Sequence, residues 1–355
     1  MIFVLVSGGT ALIVALLGTP LVIKVLRRRG LQQAIRVSTI DEPYPEHAGK
    51  LGTPSMGGVA IIIAILLGYL ASHLVSGRGP SASALLTLYL AVGLGVVGAI
   101  DDYMKVFKQR STGIRARTKL IGQAFVALTF AWLSIQFPDA TGATPASRAI
   151  SFVRDTSLVL PVALFLLWIW FLVTATTNAV NLTDGLDGLA SGAAAMTFVA
   201  YTLISVWQYG QSCSFGIFTR CYDVRDPLDM AVVAAAGAGA CVGFLWWNTS
   251  PAQIFMGDTG SLALGGGIVA MAIMTQTELL LVLFGGLFVL IVLSVMGQVG
   301  SYKLTGRRML RMAPLHHHFE MKGWNEVTIV VRFWILQALF IGAGLALFYG
   351  EWVRD

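Results

Sequence analysis

Charge is scarce in this sequence. Lys, Arg, Asp and Glu make up 12% of 355 residues, against roughly 25% in soluble domains, which excludes an ordinary soluble enzyme. With 56% of residues apolar, a disordered chain is excluded too, since disorder needs low hydrophobicity and many charges. Three cysteines cannot make a disulfide scaffold. Phosphate-binding signatures are also missing. There is no Gly-x-x-x-x-Gly-Lys-Ser/Thr loop and no Gly-x-Gly-x-x-Gly after a strand, so neither ATPase nor dinucleotide chemistry is supported. No long repeat, low-complexity tract or extramembrane domain is present.

What the chain has is long apolar runs and a mean hydropathy of +0.76. About 20 apolar residues cross a bilayer as a helix. Roughly ten such stretches occur, at 2–24, 55–75, 84–103, 120–137, 158–176, 188–208, 229–247, 260–276, 279–301 and 328–350. The expectation is an all-α, polytopic integral membrane protein, a single transmembrane domain over 1–355. No positive charge precedes the first span, and Arg27, Arg28 and Arg29 follow it, the reverse of a cleavable secretory signal. Positive charge stays in the cytoplasm, so both termini are expected outside. That topology assigns 17 of the 24 Lys and Arg residues to inside segments, six outside and Arg332 to the last span. The net charge of +6 therefore reports orientation, and nucleic acid is not an expected partner. Residues 138–157 read as an outer loop. Cys213 and Cys221 share another outer loop, either bridged on that oxidising side or as free thiols. Cys241 reads as a small packing residue.

The unusual polar residues fall in four places, all cytoplasmic on this topology. Asp101 and Asp102 end the third span; adjacent acids at a membrane boundary are costly unless paired or ligating a metal. On a helix they point about 100° apart, so one is expected to bind metal while the other pairs with Lys or acts as a base. An Asp101–Lys105 pair at i,i+4 is the simplest partner. The second place is Asn178-Ala-Val-Asn181-Leu-Thr-Asp184-Gly185-Leu186-Asp187-Gly188. It carries more polar groups than a helix cap requires, with glycines that allow close backbone approach to a ligand. Asn248 and Phe255-Met-Gly-Asp258-Thr-Gly-Ser form the third, and His316-His317-His318 the fourth. Asn181-Leu-Thr and Asn248-Thr-Ser match glycosylation sequons, but a cytoplasmic position makes them irrelevant. The carboxylates supply the hard oxygens Mg²⁺ prefers, and consecutive histidines cannot all face one zinc, so a histidine donating to a phosphate is the better reading. Carboxylates with Mg²⁺ among cytoplasmic Lys and Arg suit a nucleotide diphosphate substrate. The position at the bilayer edge suits a lipid phosphate as second reactant.

These motifs, with Lys50-Leu-Gly-Thr-Pro-Ser55-Met-Gly-Gly58 and Pro314-Leu-His-His-His-Phe-Glu320, span essentially the whole chain. They resemble those of the polyprenyl-phosphate N-acetylhexosamine-1-phosphate transferases. The triple-histidine block with Phe319 and Glu320 resembles the branch that handles the muramoyl-pentapeptide. Ser55 stands where family members often carry Thr, and the hydroxyl is retained. The resemblance implies ten spans in a bacterial cytoplasmic membrane, catalytic loops in the cytoplasm, and a homodimer. It implies transfer of phospho-MurNAc-pentapeptide from UDP-MurNAc-pentapeptide to undecaprenyl phosphate, releasing UMP and requiring Mg²⁺. Asp258 matches the family's metal ligand and Asp101 the acid at the lipid phosphate, with Asp102 beside it as a further ligand or base. His317 matches a catalytic position. Lys50, Ser55, Lys105, Lys119, Asn178, Asn181, Asp184, Gly185, Leu186, Asp187, Asn248, Phe255, Gln298, His316 and His318 match the substrate pocket. Rival expectations are a sibling transferase using UDP-GlcNAc and a transporter. The transporter is disfavoured because its ionisable groups would sit near mid-membrane.

Overall fold

The computed structural model describes residues 1–30, 52–107, 113–140, 142–213 and 221–353. The described residues are mostly helical: α1 (Ile2–Arg28), α2 (Gly58–Ser76), α3 (Ala82–Phe107), α4 (Ala116–Ser134), α5 (Val162–Thr183), α6 (Leu189–Gly210), α7 (Pro227–Asn248), α8 (Gly257–Met274), α9 (Leu281–Phe284), α10 (Gly286–Thr305), α11 (Leu315–Glu320) and α12 (Glu326–Val353). Among the described residues nine helices are long and apolar enough to cross a membrane, and the protein is a polytopic α-helical membrane protein. The stretch expected as the fourth span, 120–137, forms a helix, α4, that is not among these nine. Arg117, Lys119 and Gln123 in its first turns keep it below the apolarity of the other nine.

The bundle is organised around α8, in which every residue from Asp258 to Met274 is buried. Helices can approach this closely only where side chains are small. A Cβ at Gly98 of α3 would stand 2.1 Å from the Asp258 carbonyl oxygen, and one at Gly58 of α2 would stand 2.1 Å from the Gly260 nitrogen. The glycines thus bring α2 and α3 onto the first turn of α8. By contrast α1, α5, α10 and α12 keep large apolar side chains on the outside, among them Leu17, Phe171, Met296 and Leu339, as lipid-facing helices do.

Two features depart from the expected layout. The ninth stretch, 279–301, is broken at Gly285 into α9 and α10. Gln337 of α12 meets the backbone groups exposed at the break. Its Oε1 accepts from the Leu287 amide at 2.9 Å and its Nε2 donates to the Phe284 carbonyl at 2.7 Å, as a membrane-embedded break requires. Where 138–157 is expected as plain loop, β1 (Ala149–Ser151) pairs antiparallel with β2 (Asp155–Val159), which also takes the first two residues of the expected fifth span. The buried Glu278 carboxylate supports this hairpin, accepting from the Ser151 amide and the Trp168 indole. Cys213 and Cys221 are joined in a disulfide, and Cys241 is a buried free thiol. Arg332 lies over the Trp324 ring, 4.3 Å from its centroid.

Candidate active site

The C-terminal ends of α3 and α5 meet the N-terminal end of α8, and the polar residues of all three converge. Asp101 stands one helical turn before Lys105, and their charged groups are 2.7 Å apart. Its other oxygen accepts from the Ile114 amide at 2.7 Å. The neighbouring Gly113, at φ +58°, permits this because a Cβ there would fall 2.3 Å from the same carboxylate oxygen. Asp258 lies across from Asp101. Its Oδ2 takes Lys119 Nζ at 2.5 Å and Lys105 Nζ at 3.1 Å. Its Oδ1 accepts from Asn181 Nδ2 at 2.9 Å, and the same amide reaches Ser261 Oγ at 2.8 Å.

Asp102 does something different from its neighbour. Its Oδ1 accepts from the Asp258 amide at 3.1 Å, and its Oδ2 from the Thr259 amide at 2.9 Å and the Thr259 hydroxyl at 2.7 Å. This buried carboxylate therefore caps the start of α8. The two acids do diverge as adjacent helical positions must, with Asp101 facing the lysines and Asp102 facing the helix.

Whether Mg²⁺ fits here can be judged from the Lys105 ammonium, which touches Asp101 and Asp258 at once. One positive centre already bridges the two carboxylates, so their oxygens are set to share a cation. Among the described residues no group of three or more His, Cys, Asp or Glu side chains forms a complete cage. Mg²⁺ characteristically uses one or two carboxylates and completes its shell with water and substrate phosphate. The donor set fits, with Asp101 and Asp258 as the available pair and Asp102 engaged elsewhere.

Asp184, just past the end of α5, belongs to the same field. Burial first, then the negative charges of Asp258, Asp102 and Asp187, hold its carboxyl well above the usual range, against a hydrogen bond from the Gly257 backbone. Gly185 lies directly against the histidine block, since a Cβ there would come within 2.3 Å of His316 Nε2. His316 is wholly buried, and among the described residues neither ring nitrogen has a hydrogen-bond partner; burial pushes its imidazole well below the ordinary value. His317 Nδ1 is paired with Glu320 Oε2 at 2.5 Å, which orients the ring. His318 Nδ1 accepts from the Arg311 amide at 3.0 Å; slight burial, then Lys322 and Arg311, depress its pKa.

Several expected substrate contacts have their polar atoms turned toward the protein. Asn248 accepts from Ser191 Oγ and donates to the Ile254 carbonyl, stapling the loop before α8. Asp187 Oδ2 accepts from the Ala252 amide in that loop. Asn178 donates to Gln123 Oε1 and the Thr174 carbonyl, a turn deeper than Asn181. Gln298 accepts from the Met309 and Leu310 amides and donates to the Leu310 carbonyl, holding the chain that leads to the histidines. Leu186 is buried in the core. Ser55 is buried beside Gly257, and the Phe255 amide donates to the Pro54 carbonyl. Lys50 lies outside the described residues.

Thr259, Ser261, Ser191 and Gln123 were not expected at the site. The Thr-Gly-Ser after Asp258 had a legible signal as hydroxyls in the first turn of a helix, and Gln123 one as an amide inside an apolar run. Ser191 had none.

A helical membrane bundle that gathers carboxylates, lysines and amides at one end of its central helix has the making of a membrane-embedded transferase. The model of glycosyl transferase family 4 matches residues 84–276, from α3 through α8. A phospho-N-acetylmuramoyl-pentapeptide-transferase signature matches residues 50–62. The chain is 55% identical over 353 residues to the phospho-N-acetylmuramoyl-pentapeptide-transferase of Streptomyces avermitilis, covering 98% of each chain. It is 54% identical over 363 residues to that of Streptomyces coelicolor, covering 99% of each. With that of Cutibacterium acnes it shares 55% identity over 354 residues, 99% of this chain and 98% of the relative. The chain belongs to the phospho-N-acetylmuramoyl-pentapeptide-transferase family and is a transferase.

Proposed function

We propose that this protein transfers phospho-MurNAc-pentapeptide from UDP-MurNAc-pentapeptide to undecaprenyl phosphate, forming lipid I and releasing UMP, in peptidoglycan biosynthesis. The site faces the cytoplasm in a bacterial cytoplasmic membrane, and the working assembly is a homodimer. The observation that carries the chemistry is the Lys105 ammonium held between Asp101 and Asp258, with Lys119 on the same Asp258 oxygen. Four alternating charges lie there at the end of buried helices, where electrostatic interactions are strong.

Two anions must meet in this reaction, so catalysis consists mainly of positioning and charge neutralisation. Asp258 and Asp101 would hold Mg²⁺, which when bound would supply Lewis acidity at the diphosphate. Lys105 and Lys119 bind anionic oxygens of the donor and lower the repulsion felt by the incoming lipid phosphate. Asp101 orients that phosphate for attack at the β-phosphorus. Asn181 fixes the Asp258 carboxylate, and Asp102 fixes the helix turn that bears it. His317, oriented by Glu320, donates a hydrogen bond to a phosphate oxygen. Asp184, Phe255 and His318 line the nucleoside and sugar side, His316 packs against Gly185 behind it, and Asn248, Asp187 and Gln298 shape it from behind.

The test is donor choice. Purified protein with undecaprenyl phosphate and Mg²⁺ should consume UDP-MurNAc-pentapeptide and release UMP. Turnover of UDP-GlcNAc in its place would overturn the assignment, and absence of UMP with either donor would remove the transferase mechanism itself.

A further inference from the structure

We infer that Glu326, the first residue of α12, is a positioning residue that holds the Asp184–Gly188 turn in its working shape. The inference rests on the transferase reading above, and it concerns a residue outside every motif discussed so far.

Between α5 and α6 the backbone makes a tight turn whose amides need acceptors. Local bonds serve two of them, Asp184 N to the Asn181 carbonyl and Leu189 N to the Leu186 carbonyl. The Asp187 amide instead donates to Glu326 Oε1 at 2.8 Å, across 139 residues of sequence. Glu326 Oε1 thus supplies the acceptor that this amide needs. The Asp187 side chain is held from another direction, by the Ala252 amide at 3.0 Å. The residue is thus fixed by its backbone to α12 and by its carboxylate to the loop before α8.

Two turns along, α12 makes a second contact. Trp334 donates its indole N–H to the Leu189 carbonyl at 3.3 Å, and its ring fills the space at Gly192, where a Cβ would fall within 2.3 Å. Glu326 and Trp334 are eight residues apart, so they lie on one face of the helix. The same part of the chain carries α11: Phe319 packs on Trp324 with centroids 4.5 Å apart and meets Phe333 edge-on at 5.9 Å. The start of α12 therefore grips both partners in the Gly185–His316 contact. It keys the aspartate turn through Glu326 and the histidine helix through Phe319. Loss of the Glu326 acceptor frees the turn while leaving the Asp101–Asp258 cluster untouched.

The measurement uses full-length protein in lipid nanodiscs, comparing wild type with Glu326→Gln and Glu326→Ala. Gln keeps an acceptor oxygen and should retain at least about half of wild-type kcat/KM. Ala removes it and should lower kcat/KM by about tenfold or more, the scale of a buried donor left without its acceptor, with kcat falling more than KM rises. In ligand-free protein, hydrogen exchange over residues 185–190 should quicken in Glu326→Ala and not in Glu326→Gln, with exchange in α8 unchanged. If Glu326→Ala does not give monodisperse protein, Glu326→Asp, whose oxygen is drawn back by one methylene, should fall between wild type and the expected Ala loss. Wild-type turnover and exchange in Ala (or in Asp, where Ala cannot be made) would overturn the inference. So would a Gln variant whose exchange over 185–190 quickens, or whose turnover drops as far as that of Ala or Asp, because charge or ligand contact would then be the role. The exchange comparison needs no substrate, so it decides the positioning role even if wild type rejects the muramoyl donor and the functional reading fails.

Discussion

Asp102 accepts the backbone amide of Asp258 at 3.1 Å, so one acid of the site builds the platform on which another stands. The two should respond differently to substitution. Asp102→Ala leaves the Asp258 and Thr259 amides and the Thr259 hydroxyl without their acceptor. It should cost about 1–3 kcal/mol of stability for the buried donors, together with turnover. Asp258→Asn keeps the shape of the side chain and the helix cap. It should lower turnover by about two to three orders of magnitude, the range seen when one electrostatic contact to a reacting centre is lost, with little change in melting temperature. Thermal melts and UMP release on both variants check the contrast. A stable, active Asp102→Ala would show that the cap is dispensable.

The same junction is sensitive to a single methyl group. Gly98→Ala places a Cβ about where the Asp258 carbonyl oxygen lies, 2.1 Å away. Backbone cannot rotate aside as a flexible side chain can, so α3 and α8 must separate. Overpacking of this kind costs roughly 1–3 kcal/mol, and here it also draws Asp101 away from Asp258. A lowered melting temperature with turnover reduced at least about tenfold is the expected result. Gly9→Ala on α1, where a Cβ meets nothing within 4 Å, is the matched control and should behave as wild type.

How far the sequence foretold this arrangement depends on which residue is asked about. Scarce charge and long apolar runs announced the membrane bundle, because a bilayer admits few other solutions. Asp101, Lys105, Asn181 and Asp258 were legible as a group because polar residues at the ends of apolar helices need a reason. The opposite roles of Asp101 and Asp102 were half legible: helical geometry separates them, but only the packing of α3 on α8 tells which one meets the helix amides. Asn248, Asp187 and Gln298 looked like substrate contacts for the same chemical reason that they make good staples, since an amide or carboxylate serves a backbone as readily as a ligand. The break at Gly285 was hidden because Gln337, which satisfies it, lies 52 positions away.

Chelation should separate the metal reading from the fold. EDTA should stop UMP release and added Mg²⁺ should restore it. Because Asp101 and Asp258 converge on one cationic group, Mg²⁺ together with UDP-MurNAc-pentapeptide should also raise the melting temperature of wild type, as any ligand of the folded state does. That shift should be lost in Asp258→Asn. Full activity in EDTA would refute metal dependence, and an undiminished thermal shift in the variant would put the ion elsewhere.

At the other end of α8, Glu278 sets a pH dependence unconnected with catalysis. Burial is the main reason its carboxyl is raised from 4.5 to about 7, against hydrogen bonds from Trp168 and Ser151. The folded state thus holds a proton that the unfolded chain releases near 4.5. Between those values the folded form binds more protons, so stability falls as pH rises. The contribution is whole below about pH 4.5 and is lost as pH climbs through 7, a change on the order of 3 kcal/mol at ~1.4 kcal/mol per unit. Glu278→Gln keeps an acceptor for the Ser151 amide and the Trp168 indole while removing the titration. In wild type the melting temperature should decline between pH 5 and 8, and the variant should decline less and be the more stable protein at pH 8. Melting curves that run parallel across this range would show that Glu278 does not titrate there.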